Sequence, residues 1–211
     1  TTHFDYHSID HNLLKLDILG HDDPTMIKRL EELTGIDAKT IPMDDKKVVS
    51  LFHGTEAMGI TKEDLDGIDM GSLGLPELGT DNAMNMLRET KPDCFSDMVR
   101  ISGLSHGTDV WMGNARDLIV GGTASVLETV GCRDDIMLYL ISVGMEPKMA
   151  FKIMEAVRKG KVKKGGFQEG WVEKMNELGV PQWYIDSLAK IAYLFPKAHA
   201  VAYVMMAFRI A

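Results

Sequence analysis

The stretch PKMAFKIMEAVRK, residues 147–159, shows the pattern that governs most of this chain. Its apolar residues recur at helical spacing, while Lys148, Lys152 and Lys159 form a separate stripe at spacings of four and seven. Similar periodicity, with caps and breakers at the ends, predicts helices over 23–35, 44–52, 80–90, 93–102, 109–119, 134–143, 147–159, 168–178, 182–194 and 197–211. We therefore predict a mainly α fold.

One segment departs from the helical pattern. Within KLDILGHDD, residues 15–23, alternation places Leu14, Leu16 and Ile18 on one face of a strand and Asp17 on the other. A carboxylate in an apolar strand needs a positive partner, either Lys15 or a helix terminus in a salt bridge, or a metal ion. We place a domain boundary here, with a strand in 1–22 and a helical domain in 23–211.

Composition indicates a globular chain of 211 residues, with 45% hydrophobic and 26% charged residues. Cys94 and Cys132 lack metal-site spacing and are expected to be reduced core thiols. The longest apolar run, 198–208, is too short to span a bilayer, and no signal peptide is apparent. We expect a cytoplasmic location without a membrane partner. Because the last helical pattern has no stop signal, we also expect an excerpt of a longer protein.

The net charge of −8 is unevenly distributed. Residues 1–140 carry 12 Lys+Arg and 25 Asp+Glu, whereas residues 141–211 carry 11 and 6. A surface that faces phosphates should therefore lie mainly in the last third of the chain, unless the asymmetry is an ordinary fluctuation of surface charge.

Three blocks of this sequence resemble one protein family. KLDILGHDD, preceded by FDYHSID, resembles the third catalytic-aspartate segment of the bacterial C-family replicative DNA polymerases. Residues 77–119 and FPKAHAVAYVMMAFRIA, 195–211, resemble later segments of that family in the same order. The spellings GLSHGTDVW and GCRDDIM are similar to the PolC type of DNA polymerase III alpha subunit.

This resemblance implies template-directed transfer of a nucleotide from a dNTP to a primer 3′-hydroxyl during chromosomal replication. Residues 1–22 would be a palm remnant and 23–211 a helical fingers domain. Asp17 would be a catalytic residue and a ligand in a two-Mg²⁺ site, completed by carboxylates outside this sequence. The implied partners are primer–template DNA, dNTP and, through the parent chain, replisome proteins such as a sliding clamp. The fragment alone should be inactive.

The helix that follows Pro196 carries the first group of candidate binding residues. Lys197 and His199 lie in its first turn, where the helix dipole favours phosphate. His199 and Tyr203 are four residues apart and share a face. They could be ordinary core residues, but the resemblance implies contact with the incoming nucleotide.

Arg133, which follows Gly131-Cys132 at the start of a helix, is a further candidate for the triphosphate. Its neighbours Asp134 and Asp135 could instead hold it in an ion pair. We also predict a tight loop over Gly103–Thr108. In that loop Ser105 and His106 either approach nucleic acid, as the resemblance implies, or simply connect two helices.

The basic stripe supplies the remaining candidates, which are contacts to DNA or triphosphate: Lys148, Lys152, Arg158 and Lys159. A solvated amphipathic helix would carry the same residues. A second functional hypothesis is a non-enzymatic helical DNA-binding module, because SVGMEPKMAF, residues 142–151, vaguely resembles a helix-hairpin-helix turn. The aspartate at position 17 favours the polymerase, since a binding module has no use for it.

Overall fold

The computed structural model describes residues 3–14, 16, 18 and 20–211, and they are mainly helical. The α-helices are, in chain order, α1 Tyr6–Ile9, α2 Asp23–Thr34, α3 Lys46–Ser50, α4 Asp81–Thr90, α5 Phe95–His106, α6 Arg116–Val120, α7 Arg133–Ser142, α8 Pro147–Arg158, α9 Lys161–Gly165, α10 Trp171–Glu177, α11 Gln182–Lys190 and α12 Lys197–Ile210. The described residues contain no β-strand beyond one isolated bridge. The predicted mainly α class is confirmed.

The last helix, α12, lies at the centre and packs against α5, α7 and α2. Its residues Ala200, Val204, Ala207 and Phe208 are buried. Phe208 contacts the rings of Phe52 and Phe95, each at 5.4 Å between centroids. Burying such rings stabilises a core by roughly 1.5–3 kcal/mol each. The packing of α12 thus fixes its first turn relative to α5 and α7. In the described part of the chain, no helix is both long and apolar enough to cross a membrane.

The predicted strand is not present in the part of 12–19 that the structure describes. Residues 12–14, 16 and 18 are not in a strand, and Leu14, Leu16 and Ile18 are 85%, 71% and 91% exposed. Among the described residues, no neighbouring strand offers hydrogen bonds to this segment, and a strand is unstable without a partner. Asp17 lies outside the described residues. The proposed boundary between 1–22 and 23–211 stays a prediction.

The loop predicted over Gly103–Thr108 is also wrong, because α5 continues through His106. Gly103 serves helix packing rather than a turn. A Cβ atom at this position would lie 2.5 Å from Cys132 Sγ and 2.8 Å from the Gly131 carbonyl oxygen. The glycine therefore lets the end of α5 approach the segment that leads into α7.

The helix predicted over 109–119 is interrupted. Asp109 adopts a positive φ of 57°, and the turn Trp111–Ala115 contains non-helical residues before α6 begins. The buried Asn114 side chain donates to the Asp109 and Ser187 carbonyl oxygens and accepts from Ser187 Oγ at 2.7 Å. Because these bonds satisfy an otherwise costly buried amide, they stabilise the irregular turn against α11.

The helix predicted over 182–194 ends at Lys190. Beyond it, the Ala192 amide donates to the Thr108 carbonyl, and the Thr108 amide donates to the Tyr193 carbonyl at 3.0 Å. This antiparallel bridge attaches the non-helical segment 191–195, which leads into α12, to Thr108. Tertiary pairing thus overrides the helical pattern there.

Candidate nucleotide and nucleic-acid binding site

The N-termini of α7 and α12 lie side by side. The Arg133 amide donates to the Phe195 carbonyl at 3.1 Å, and the Lys197 amide donates to Asp134 Oδ2 at 2.7 Å. Both helices direct the positive ends of their dipoles toward this place. We call the first turns of α7 and α12, with the last turn of α5 and Glu77, the junction.

Asp135 organises one side of the junction from a position that is 7% exposed. It accepts hydrogen bonds from the Gly131 and Cys132 amides, the latter at 2.8 Å. Its carboxylate also pairs with Arg100 at 2.6 Å and with Lys197 Nζ at 3.0 Å. Four donors compensate the desolvation of this carboxylate.

The Lys197 ammonium therefore has a fixed position in a cleft of about 460 Å³. The cleft wall includes Arg100, Asp135, Tyr139, Trp183 and Lys197. Such a volume is typical of a small-molecule pocket, and two cations beside two ring systems suit an anionic ligand with a planar part.

Aromatic rings pack on another side of α12. His199 and Tyr203 lie 4.5 Å apart between centroids, so the predicted shared face is present. His199 also contacts His106 at 4.8 Å and Phe195 at 5.0 Å. Tyr203 Oη lies 2.7 Å from His21 Nδ1. This ring cluster joins α5 and α12 to the segment that precedes α2.

A carboxylate completes the ring cluster. Glu77 Oε2 lies 2.9 Å from His106 Nε2, and Glu77 Oε1 lies 3.9 Å from His199 Nε2. The Glu77 carboxylate at 2.9 Å raises the pKa of His106 above its ordinary value, whereas burial and the neighbouring His106 lower the pKa of His199. The environment thus shifts the pKa values of the two imidazoles in opposite directions.

The structure separates residues that the sequence analysis grouped. Lys197 pairs with Asp135 beside α7, whereas His199 and Tyr203 belong to the ring cluster. Successive residues of a helix are about 100° apart, so Lys197 and His199 project to nearly opposite sides. Arg133 lies at the junction, half-buried, with Nε 4.0 Å from Asp134 Oδ2.

The last turn of α5 presents Ser105 and His106 to different partners. Ser105 Oγ donates to the Ser102 carbonyl at 2.8 Å. His106 Nδ1 also lies 2.6 Å from that carbonyl, while His106 Nε2 faces Glu77. Of these two candidates, only His106 contacts Glu77, whereas Ser105 bonds within its own helix.

The basic stripe borders a second feature, which we call the basic groove. It has a volume of about 360 Å³ between α8, α9 and the start of α10 and is lined by Phe151, Lys152, Glu155, Ala156, Lys159, Lys161, Gln168 and Trp171. Lys148 and Lys152 are exposed and have no ion-pair partner among the described residues.

The other two basic candidates share one counter-charge, the Glu155 carboxylate. Arg158 pairs with Glu155, and Lys159 Nζ lies 2.8 Å from the same carboxylate. The hydrogen bond from Arg158 lowers the pKa of Glu155 to about 2. The four predicted contacts therefore divide into two free lysines and two paired cations.

Sequence reasoning missed the roles of two side chains at the junction. Asp135 was considered only as a partner for Arg133, yet it pairs with Arg100 and Lys197. Glu77 stands alone in a glycine-rich stretch that gave no signal of its role. Cys94, expected in the core, is exposed, whereas Cys132 is buried and burial raises the pKa of its thiol to about 12.

The sequence of this chain matches a known protein family. A sequence profile for the bacterial DNA polymerase III alpha subunit finger domain matches residues 23–179. The chain therefore belongs to this family of finger domains.

Curated relatives define the type of polymerase more closely. The whole chain is 61% identical to part of the PolC-type DNA polymerase III of Bacillus cereus and 60% identical to part of that of Bacillus subtilis. It is also 61% identical to part of the corresponding protein of Caldanaerobacter subterraneus. The chain spans 14–15% of the length of these three relatives.

The described residues do not by themselves build a magnesium site. Their one group of three mutually close potential ligands consists of Glu77, His106 and His199. Magnesium prefers an octahedral shell of oxygen atoms, which two imidazoles do not supply. The predicted Mg²⁺ ligand, Asp17, lies outside the described residues, so the magnesium assignment stays a prediction.

Proposed function

We propose that this chain is the fingers region of a template-directed DNA polymerase, with the junction as the place that receives the incoming dNTP. The observation that carries the proposal is the pairing of two helix N-termini beside Arg133 and Lys197. The His199–Tyr203 face lies on the other side of the same helix, α12. Family membership and the PolC-type relatives support the same activity.

The junction offers separate groups for separate parts of a nucleotide. The first amides of α7 and α12 already donate to Phe195 and Asp134, so the side chains of Arg133 and Lys197, with the two helix dipoles, would bind and orient a triphosphate. The rings of His199 and Tyr203 offer a stacking surface for a base or sugar. Because Asp135 already holds Lys197 in place, little side-chain entropy remains to be lost when phosphate binds.

In the same proposal, the basic groove with Lys148 and Lys152 attracts the primer–template backbone. Arg158 and Lys159 would contribute less, since the shared Glu155 carboxylate offsets part of their charge. Mg²⁺, held by Asp17 and by carboxylates outside this sequence, would supply the activation of the 3′-hydroxyl. A sliding clamp as partner and a cytoplasmic location belong to the parent polymerase.

The first test concerns Asp17 in the full-length polymerase. We expect Asp17→Asn to abolish primer extension and leave DNA binding nearly unchanged, because a metal ligand acts mainly in the transition state. Extension and binding should be measured on one preparation, with Asp10→Asn as the control. Near-normal extension by Asp17→Asn would refute the catalytic assignment.

The second test concerns the junction in the same full-length polymerase. We expect Tyr203→Ala to lower single-nucleotide incorporation efficiency by roughly 10- to 100-fold, since stacking on a ring is worth on the order of 1–3 kcal/mol. Lys197→Ala should also lower it, because it removes an ammonium from the phosphate-binding end of α12. Primer–template affinity should change much less. Lys174→Ala, which removes a surface pair with Glu177, is the matched control.

Incorporation kinetics and thermal unfolding should be measured on the same Lys197→Ala and Tyr203→Ala variants. If both junction variants keep normal incorporation and only unfold at lower temperature, α12 is merely a core helix. Lys197→Arg should restore part of the efficiency, because it keeps a cation beside Asp135.

A third test asks whether the 211 residues alone are a complete catalytic unit. We expect no primer extension from the 211 residues alone, and DNA binding that weakens steeply with salt. Extension above a blank, with contaminating polymerase excluded, would overturn the assignment of the other metal ligands to regions outside this sequence. The names of the relatives favour the polymerase over the non-enzymatic DNA-binding module.

A further inference from the structure

Three side chains at the junction have the donor set of a transition-metal site. One donor atom each from Glu77, His106 and His199 lies within 4.8 Å of the others. Glu77 Oε2 and His106 Nε2 are 2.9 Å apart, and Glu77 Oε1 and His199 Nε2 are 3.9 Å apart. Ligand atoms around a tetrahedral zinc ion are about 3.3 Å apart, so small side-chain rotations suffice.

The second observation is the hydrogen bonding of His106. Its Nδ1 lies 2.6 Å from the Ser102 carbonyl oxygen, which can only accept. The ring proton therefore sits on Nδ1, and a metal ion that replaces the Nε2 proton would receive the Nε2 lone pair between Glu77 and His199. A ligating histidine commonly donates its other N–H to a backbone carbonyl in this way, which fixes the ring and strengthens the donor.

The third observation is that two of the potential ligand atoms have no hydrogen-bond partner among the described residues. Glu77 Oε2 and His199 Nε2 are both inaccessible to solvent and make no hydrogen bond of good geometry. The 2.9 Å contact between Glu77 and His106 is thus close but poorly aligned for an N–H donor. Buried polar atoms usually have a partner, and one cation between the three ligands would serve both atoms.

We propose that Glu77, His106 and His199 bind a first-row divalent transition metal, with Zn²⁺ as the ion that best fits two imidazoles and one carboxylate. The three ligands come from the turn-rich segment before α4, from α5 and from α12. A bound ion would therefore fasten these elements together beside the ring cluster. Three protein ligands leave one position for water or for a donor atom of a bound molecule.

The test is metal binding by the 211-residue chain, without nucleotide or DNA, so its outcome is separate from that of the proposed function. Zn²⁺ binding is measured by competition with a chromophoric chelator and Co²⁺ binding by its visible absorption. We expect one ion per chain, a rise in unfolding temperature with added Zn²⁺, and no displacement by excess Mg²⁺.

Substitutions show whether these three side chains or other residues of the chain bind the metal ion. Glu77→Gln, His106→Gln and His199→Gln should each weaken binding by roughly 10- to 100-fold or more, since even outer-shell changes have effects of that size. His7→Gln with His11→Gln, two exposed imidazoles, and Cys94→Ser should leave it unchanged.

Replacing one metal ligand by another controls for the possibility that a glutamine variant fails to fold. His199→Cys keeps a metal ligand, so it should retain one Co²⁺ per chain and add a thiolate charge-transfer band. Absence of stoichiometric Zn²⁺ or Co²⁺ binding by the unaltered chain, or binding that survives all three glutamine variants, would refute the site and leave an ordinary Glu77–His106 ion pair.

Discussion

The junction and the basic groove both carry cations, but they hold them in opposite ways. At the junction, Arg100 and Lys197 converge on the buried carboxylate of Asp135. Lys152 at the groove and Lys148 one turn away on α8 are exposed, without an ion-pair partner among the described residues. A fixed, partly desolvated cation suits recognition of one ligand geometry, whereas mobile surface lysines suit sequence-independent attraction to phosphates.

The largest expected effect comes from breaking the network at the junction. Asp135→Ala should lower the free energy of unfolding by about 3–5 kcal/mol, because it leaves Arg100 and Lys197 without their carboxylate. Asp134→Ala, a change at the half-exposed neighbour that accepts from the Lys197 amide, should cost only about 1 kcal/mol. Denaturant unfolding of both variants measures the difference. Equal costs would show that Asp135 is not the organising residue.

A medium effect is expected from removing a free cation at the groove. Lys152→Ala should weaken DNA binding by the 211-residue chain and reduce the slope of log affinity against log salt by about 0.9, the value for one phosphate contact. Lys174→Ala, whose ammonium pairs with Glu177 at 3.0 Å, is the control with the same change of charge. An unchanged slope in Lys152→Ala would remove the groove from the DNA interface.

The smallest effect should come from releasing the paired cations. Glu155→Gln frees Arg158 and Lys159, so DNA affinity should rise a few-fold at low salt and the salt slope should steepen. Titrations at several salt concentrations, compared with the unaltered chain, measure both quantities. If affinity falls instead, Glu155 positions these side chains for DNA rather than neutralising them.

The same variant has a pH signature. The pKa of Glu155 is lowered from 4.5 to about 2, so its ion pairs stabilise the fold above pH 4.5. This stabilisation is lost as pH falls through about 2. The difference in unfolding temperature between the unaltered chain and Glu155→Gln should therefore shrink as the pH falls from 4.5 to about 2. A difference that stays constant with pH would show that the pair contributes nothing to stability.

The sequence by itself determined the helices whose pattern and caps agree. Pro147 opens α8, and the αL glycine Gly35 ends α2 as predicted. The capping box of Thr61 with Asp64 is also present, around a short 3-10 helix. These features depend on residues within one or two turns of each other, so local chemistry suffices to predict them. The shared face of His199 and Tyr203 was predictable for the same reason.

Only the tertiary structure decided which side chains meet at the junction. Glu77 reaches His106 across 29 positions of sequence, and Lys197 reaches Asp135 across 62. Asn114 and Ser187 likewise stabilise an irregular turn that helical periodicity could not foresee. Such contacts depend on how α12 packs between α5 and α7, and no local pattern encodes that arrangement. The local sequence therefore specified the helices and the candidate residue types, whereas the packing of the helices determined which charged side chains form ion pairs.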